Sequence, residues 1–103
     1  MILNRLRSWL FSQRPPPDVV LLSRSGCHLC DEARRLLEQL QLEFEFAFQV
    51  LNVDADAELV RKYGDKVPVV LLADQPRMWG KINPAWLRRL ISKSCPRRRQ
   101  PKT

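Results

Sequence analysis

The chain has no long apolar run. The longest, Val67-Pro-Val-Val-Leu-Leu-Ala73, is seven residues, where a membrane-spanning helix needs about 20. No secretory signal is legible either. Trp9-Leu-Phe11 is too short for the apolar region of one, and Arg5 and Arg7 interrupt what precedes it. A cytoplasmic location is therefore expected. An organellar stroma or matrix is the secondary expectation, because the first segment is Arg-rich and acid-poor. Cysteine is scarce and odd in number, three in 103 residues, which argues against a disulfide scaffold. His28 is the single histidine, so a closed zinc site, which takes about four ligands, would be short of partners.

Acidic residues are missing from both ends. Residues 1–17 carry Arg5, Arg7 and Arg14 without an acid, and residues 93–103 carry Lys93, Arg97, Arg98, Arg99 and Lys102 without one. These are 8 of the 18 basic residues, so 18–92 keeps 10 bases against all 11 acids. The folded part is near neutral and the basicity belongs to two arms. The expected organisation is a basic arm over 1–17, one domain over 18–92 and a basic disordered tail over 93–103. In the first arm Ile2, Leu3, Leu6, Trp9 and Leu10 recur at helical spacing. That arm reads as an amphipathic helix that docks on the domain or a partner. Pro15-Pro-Pro17 forms a stiff, extended spacer after it. No aromatic residue interleaves with the basic tail, so nucleic acid is not an expected partner, and neither is a membrane.

Between the arms the periodicity is informative. Val19-Val-Leu-Leu22 reads as a buried strand. Leu29, Ala33, Leu36, Leu37 and Leu40 form a helical stripe. Phe44, Phe46 and Phe48 alternate with polar or small residues into a strand over 45–53. Asp54 or Asp56 caps a short helix ended by Gly64, and Val67–Leu72 is a third strand with its proline near the start. A turn at Asp74-Gln-Pro76 leads to a short strand, Arg77-Met-Trp79. Asn83-Pro84 opens a last helix with Trp86, Leu87, Leu90 and Ile91 on its apolar face. The order is β-α-β-α-β-β-α, an α/β fold with a four-stranded mixed sheet. Strands joined through helices are expected to run parallel and the last two antiparallel.

Ser25-Gly-Cys-His-Leu-Cys30 falls where the first strand ends and the first helix opens. A helix start offers unpaired N–H groups and a positive dipole end, which favour an anion and so stabilise a thiolate at Cys27. Cys30 lies one turn on, within disulfide reach and less exposed. Arg24 and a protonated His28 favour the thiolate, while Asp31 and Glu32 oppose it. Three readings fit the pair: a redox dithiol, part of a metal site with His28 or Cys95 (including one bridged between two chains), or two buried hydrophobes. The strand–loop–helix context favours the first. Cys95 reads as a free thiol in a frayed tail.

With Val19–Leu22, Cys27-His-Leu-Cys30, Asn52-Val-Asp-Ala-Asp56 and Lys66-Val-Pro-Val69 together, the chain resembles the small glutaredoxin-like proteins of the thioredoxin-fold superfamily over residues 18–92. The resemblance implies a thioredoxin-like fold and a glutaredoxin-like thiol–disulfide oxidoreductase acting as a monomer. Cys27 would attack and Cys30 resolve. Pro68 would be the family's cis-proline, and the Val67 backbone would pair with an extended substrate. Arg24 takes the place of a lysine that helps bind the glutathione carboxylate, with His28 and Trp79 at the rim of the substrate groove. Protein disulfides or glutathione mixed disulfides are the implied partners. No bound cofactor and no metal are implied, and glutathione is the implied reductant. The chain departs from the family's glutathione pattern at Lys66, where threonine is usual, and at Trp79-Gly80-Lys-Ile-Asn-Pro84, where a glycine pair and an acidic pair are usual. The alternative from another class is a non-catalytic interaction or redox-sensing module held by its basic arms.

Overall fold

A computed structural model of the protein describes residues 17–98. The helix expected in the amino-terminal arm and the tail beyond residue 98 lie outside the described residues. Strand β1 (Asp18–Ser23) is followed by helix α1 (His28–Leu40), strand β2 (Ala47–Asn52), a 3-10 turn (Val53–Ala55), helix α2 (Ala57–Tyr63), strands β3 (Val69–Leu72) and β4 (Gln75–Trp79), and helix α3 (Pro84–Ser94). The four strands form one mixed sheet, as the element pattern predicts, in the order β2-β1-β3-β4. Among the described residues no helix is long and apolar enough to cross a membrane.

The middle of β1, Val19–Leu22, is apolar throughout because both of its faces are covered. Val19 and Leu21 face one core with Ala33, Leu37, Leu40, Val70, Leu72, Leu87 and Ile91, contributed by α1, β3 and α3. Val20 and Leu22 face a smaller core with Val53 and Val69, completed by Leu59 and Tyr63 of α2. This alternation is the two-residue period of a strand sandwiched between helices.

One topological expectation is corrected. β1 and β2 are parallel, but β3 runs antiparallel to β1 although α2 connects it to β2. The reason is length. α2 has seven residues, about 10 Å at the helical rise. A six-residue strand spans roughly 20 Å. So short a helix covers only about half of a strand's length, and the chain re-enters the sheet at the end where it left, Val69 beside Leu22.

The leucine stripe holds at Ala33, Leu37 and Leu40, with Leu36 half-buried beside them, but not at Leu29. Leu29 is 37 % exposed while Cys30 is 1 % exposed, so the inward row is Cys30, Ala33, Leu37 and Leu40. Trp86 is likewise not on the buried face of α3. It is 69 % exposed, while Leu87 and Ile91 are fully buried. Asn83 caps α3, its Oδ1 accepting from the Ala85 and Trp86 amides at 2.9 and 3.1 Å. The β3–β4 turn is Ala73-Asp74, both at positive φ, as a two-residue type I′ hairpin requires. It precedes the expected position because Gln75 and Pro76 already belong to β4.

The tail expectation is corrected for residues 93–98. α3 continues to Ser94, and Cys95 is buried in the larger core. Arg97 forms a β-bridge with Phe44. The Glu45 amide donates to the Pro96 carbonyl, and the Arg98 amide to the Glu43 carbonyl, both at 2.8 Å. Glu43 holds Arg88 and Arg97 at 2.6 and 3.3 Å, and both guanidinium groups lie over the Phe44 ring. This strap also explains why β2 begins at Ala47: residues 44 and 45 bond to the carboxy-terminal segment.

Candidate active site

Four segments meet at one end of the sheet. Ser23 pairs with Asn52, so β1 and the parallel β2 end together. Leu22 pairs with Val69 and Val69 with Trp79, so β3 begins and β4 ends at that same edge. The loop Arg24–Cys27, the turn Asn52–Ala55, the Val67-Pro68 dipeptide and Trp79-Gly80 therefore share a rim.

Cys27 is the N-cap of α1, in an extended conformation, and its Sγ accepts from the Cys30 amide at 3.2 Å. Gly26 makes the entry turn at φ +74°, and nothing lies within 4 Å of where a Cβ would stand. The requirement for glycine there is conformational and not steric. Cys27 is half-buried and Cys30 is buried. Their Cα atoms are 5.2 Å apart and their sulfurs 2.22 Å, close enough for a disulfide. One sulfur can thus meet a partner while the other is sheltered behind it.

The Val67–Pro68 bond is cis, and the Pro68 side chain is fully buried. The Gly80 N–H is shared between the carbonyls of Lys66 at 3.1 Å and Pro68 at 2.9 Å. That joins the end of β4 to both neighbours of Val67. Among the described residues the Val67 N–H and C=O make no hydrogen bond, and its half-buried side chain packs on the smaller core.

Arg24 stands differently from its expected role. Its Nη2 and Nε bind Asp54 at 2.8 and 3.3 Å, and its Nη1 donates to the Gly64 carbonyl at 3.1 Å. The guanidinium beside Asp54 holds that carboxyl below its usual range. Arg24 thereby ties the cysteine loop to the 3-10 turn and to the end of α2. No local pattern marks Asp54 for this role, since its partner is 30 residues away. Asp56, and not Asp54, caps α2, accepting from the Glu58 amide at 2.8 Å. His28 points to solvent, its Nε2 3.4 Å from Glu32. Among the described residues no three His, Cys, Asp or Glu side chains are grouped to hold a metal ion. Trp79 is 60 % exposed and lines a groove with Trp86.

This sheet, with a cysteine pair opening the first helix and a cis-proline opening the third strand, defines a thioredoxin-like fold. A mutant thioredoxin from Halobacterium salinarum shares it at a TM-score of 0.61 and 20 % identity, over 78 % of this chain and 75 % of that one. Residues 18–92 match the glutaredoxin-like domain family (DUF836), and the chain belongs to that family. Similar solved structures include a protein from Nitrosomonas europaea, 31 % identical, TM-score 0.66, covering 77 % of this chain and 95 % of that one. Another, from X. campestris, is also 31 % identical, with a TM-score of 0.62 over 73 % of this chain and 96 % of that one. An uncharacterized protein of Mycobacterium tuberculosis is 32 % identical over 83 residues, 76 % of this chain and 86 % of its own.

Proposed function

We propose that the protein is a thiol–disulfide oxidoreductase of the glutaredoxin-like kind, acting through Cys27 and Cys30. The observation that carries this reading is the unequal burial of a bonded-distance pair, with the more exposed sulfur at the helix N-cap. The unpaired amides and dipole of α1 stabilise negative charge on Cys27, and the thiolate is the attacking species.

In the reductive direction the Cys27 thiolate attacks one sulfur of a substrate disulfide. The other substrate sulfur leaves as a thiolate and takes up a proton. Cys30, once deprotonated, attacks the Cys27 sulfur of the mixed disulfide, the second substrate thiolate departs, and the Cys27–Cys30 disulfide remains. Two electrons have passed to the substrate. A thiol reductant restores the pair, and two molecules of glutathione, becoming its disulfide, would suffice. No resident cofactor takes part. Protein disulfides or glutathione mixed disulfides are the proposed substrates, with the unpaired Val67 backbone aligning an extended substrate chain beside Cys27.

Cys30→Ser should accumulate mixed disulfides detectable by mass spectrometry, and Cys27→Ser should form none. If the wild type and Cys30→Ser both fail to exchange with glutathione disulfide or a model protein disulfide, the reading is wrong and the chain is a non-catalytic module.

A further inference from the structure

After Asp74 the sequence contains no acidic residue. That stretch builds β4, the following loop and α3, and within it Arg77, Lys81 and Arg89 make no ion pair among the described residues. The same stretch carries the two most exposed large hydrophobic residues among the described residues, Trp79 at 60 % and Trp86 at 69 %. They line one groove of about 310 Å³ together with Arg77, Lys81 and the half-buried Met78 and Ile82. Two tryptophans left in water on one groove, flanked by cations, form a surface patch of the kind that marks a binding site.

The groove also lies along a sheet edge. β4 is the terminal strand and pairs only with β3 among the described residues. The Gly80 amide points inward to Pro68, so the amide of Trp79, one residue earlier in the alternating ladder, faces outward. An extended chain could add alongside Arg77–Trp79, though not at Pro76, which has no N–H.

We propose that this groove docks an extended acidic segment of a partner protein. The segment would bond its backbone to the outer edge of β4, seat one large apolar side chain between Trp79 and Trp86, and set its carboxylates against Arg77 and Lys81. Charge complementarity selects an anionic occupant. The free strand edge favours polypeptide over single-stranded nucleic acid, and so does the lack of a continuing aromatic track for successive bases. The proposal does not depend on the thiol chemistry.

The test uses the full chain with Cys27→Ser and Cys30→Ser, so that no disulfide exchange can mimic binding. A fluorescent Asp/Glu-rich peptide with one central Phe is titrated by anisotropy. Three controls accompany it: the same peptide with every acid replaced by Lys, one with alternate backbone amides N-methylated, and an oligothymidylate of equal length. Saturable binding of the acidic peptide alone is expected, weakening with salt and lost on N-methylation. Trp86→Ala and Lys81→Glu, both at exposed positions, should each weaken it by roughly tenfold with an unchanged circular dichroism spectrum. Absence of saturable binding, indifference to either substitution, equal binding of the Lys peptide, or tighter binding of the oligonucleotide would each overturn the proposal.

Discussion

Arg88 grips Glu43 with both terminal guanidinium nitrogens, at 2.6 and 2.8 Å, across 45 residues of sequence. Arg97 adds a third contact at 3.3 Å. The hydrogen bonds from Arg88, more than any other cause, lower the Glu43 carboxyl from about 4.5 to about 2. A carboxylate with a depressed folded pKa contributes stability that is complete above its unfolded value and disappears as pH falls through the folded one. The strap should therefore loosen between pH about 4.5 and about 2. Thermal melts across that range should show Glu43→Gln with a lower melting temperature than the wild type at pH 7 and a flatter acid dependence.

Cys95 is 6 % exposed, and burial pushes its thiol up to about 11. It should resist alkylation in the reduced native protein at pH 8, where Cys27 reacts, and should react only after addition of denaturant. Peptide mapping after iodoacetamide treatment distinguishes the two. Cys95→Ser would place a hydroxyl in an apolar site and should cost about 1–3 kcal/mol, more than Cys95→Ala.

Ala73 holds φ at 50° and Asp74 at 66°. Left-handed backbone costs an ordinary side chain roughly 1–2 kcal/mol, whereas glycine and asparagine adopt it readily. Ala73→Asn should keep the hairpin and raise stability by about 1 kcal/mol, read as a higher urea midpoint with an unchanged slope. A lower midpoint would show that the turn is not type I′ in solution.

The Arg24–Asp54 pair is partly exposed, at 38 % and 46 % for the two side chains. Its contribution to global stability should be small, as for exposed ion pairs in general, and its main effect local. Arg24→Met releases Asp54 and the Gly64 carbonyl together. Amide exchange at residues 25–28 should then quicken by about tenfold or less, while the amides of β1 and β3 keep their protection. Uniform loss of protection would show a global role instead.

The cysteine pair is legible in the sequence because its context is local. A strand signal, a glycine, the two cysteines and a helical stripe lie within 22 residues, from Val19 to Leu40. Local pattern also carries the N-cap at Asn83, narrows that of α2 to Asp54 or Asp56, and gives the order of elements along the chain. What is not legible depends on distant partners. Arg24 has a loop position and a charge in the sequence, and only folding brings Asp54 and Gly64 to it. Glu43 lies 54 residues from Arg97, so Pro96 and the basic run read as a terminator where the chain instead folds back over Phe44. Leu29 and Trp86 read as inward because apolar residues at helical spacing usually are. Their neighbours Cys30 and Leu87 occupy the sites that face the sheet.

The opposite edge of the sheet has a bearing on handling. Ala47-Phe-Gln-Val-Leu-Asn52 contains no charge, proline or glycine. Among the described residues β2 pairs on one side only, with Val50 42 % and Leu51 39 % exposed. Such a segment is a template for intermolecular strand stacking. Its safeguards sit just outside it, in Glu45 and Asp54, which act as charged gatekeepers. β2 is thus an edge at which concentrated protein can stack on itself, on the far side of the sheet from β4, and Val50→Lys should improve solubility without reaching the cysteines.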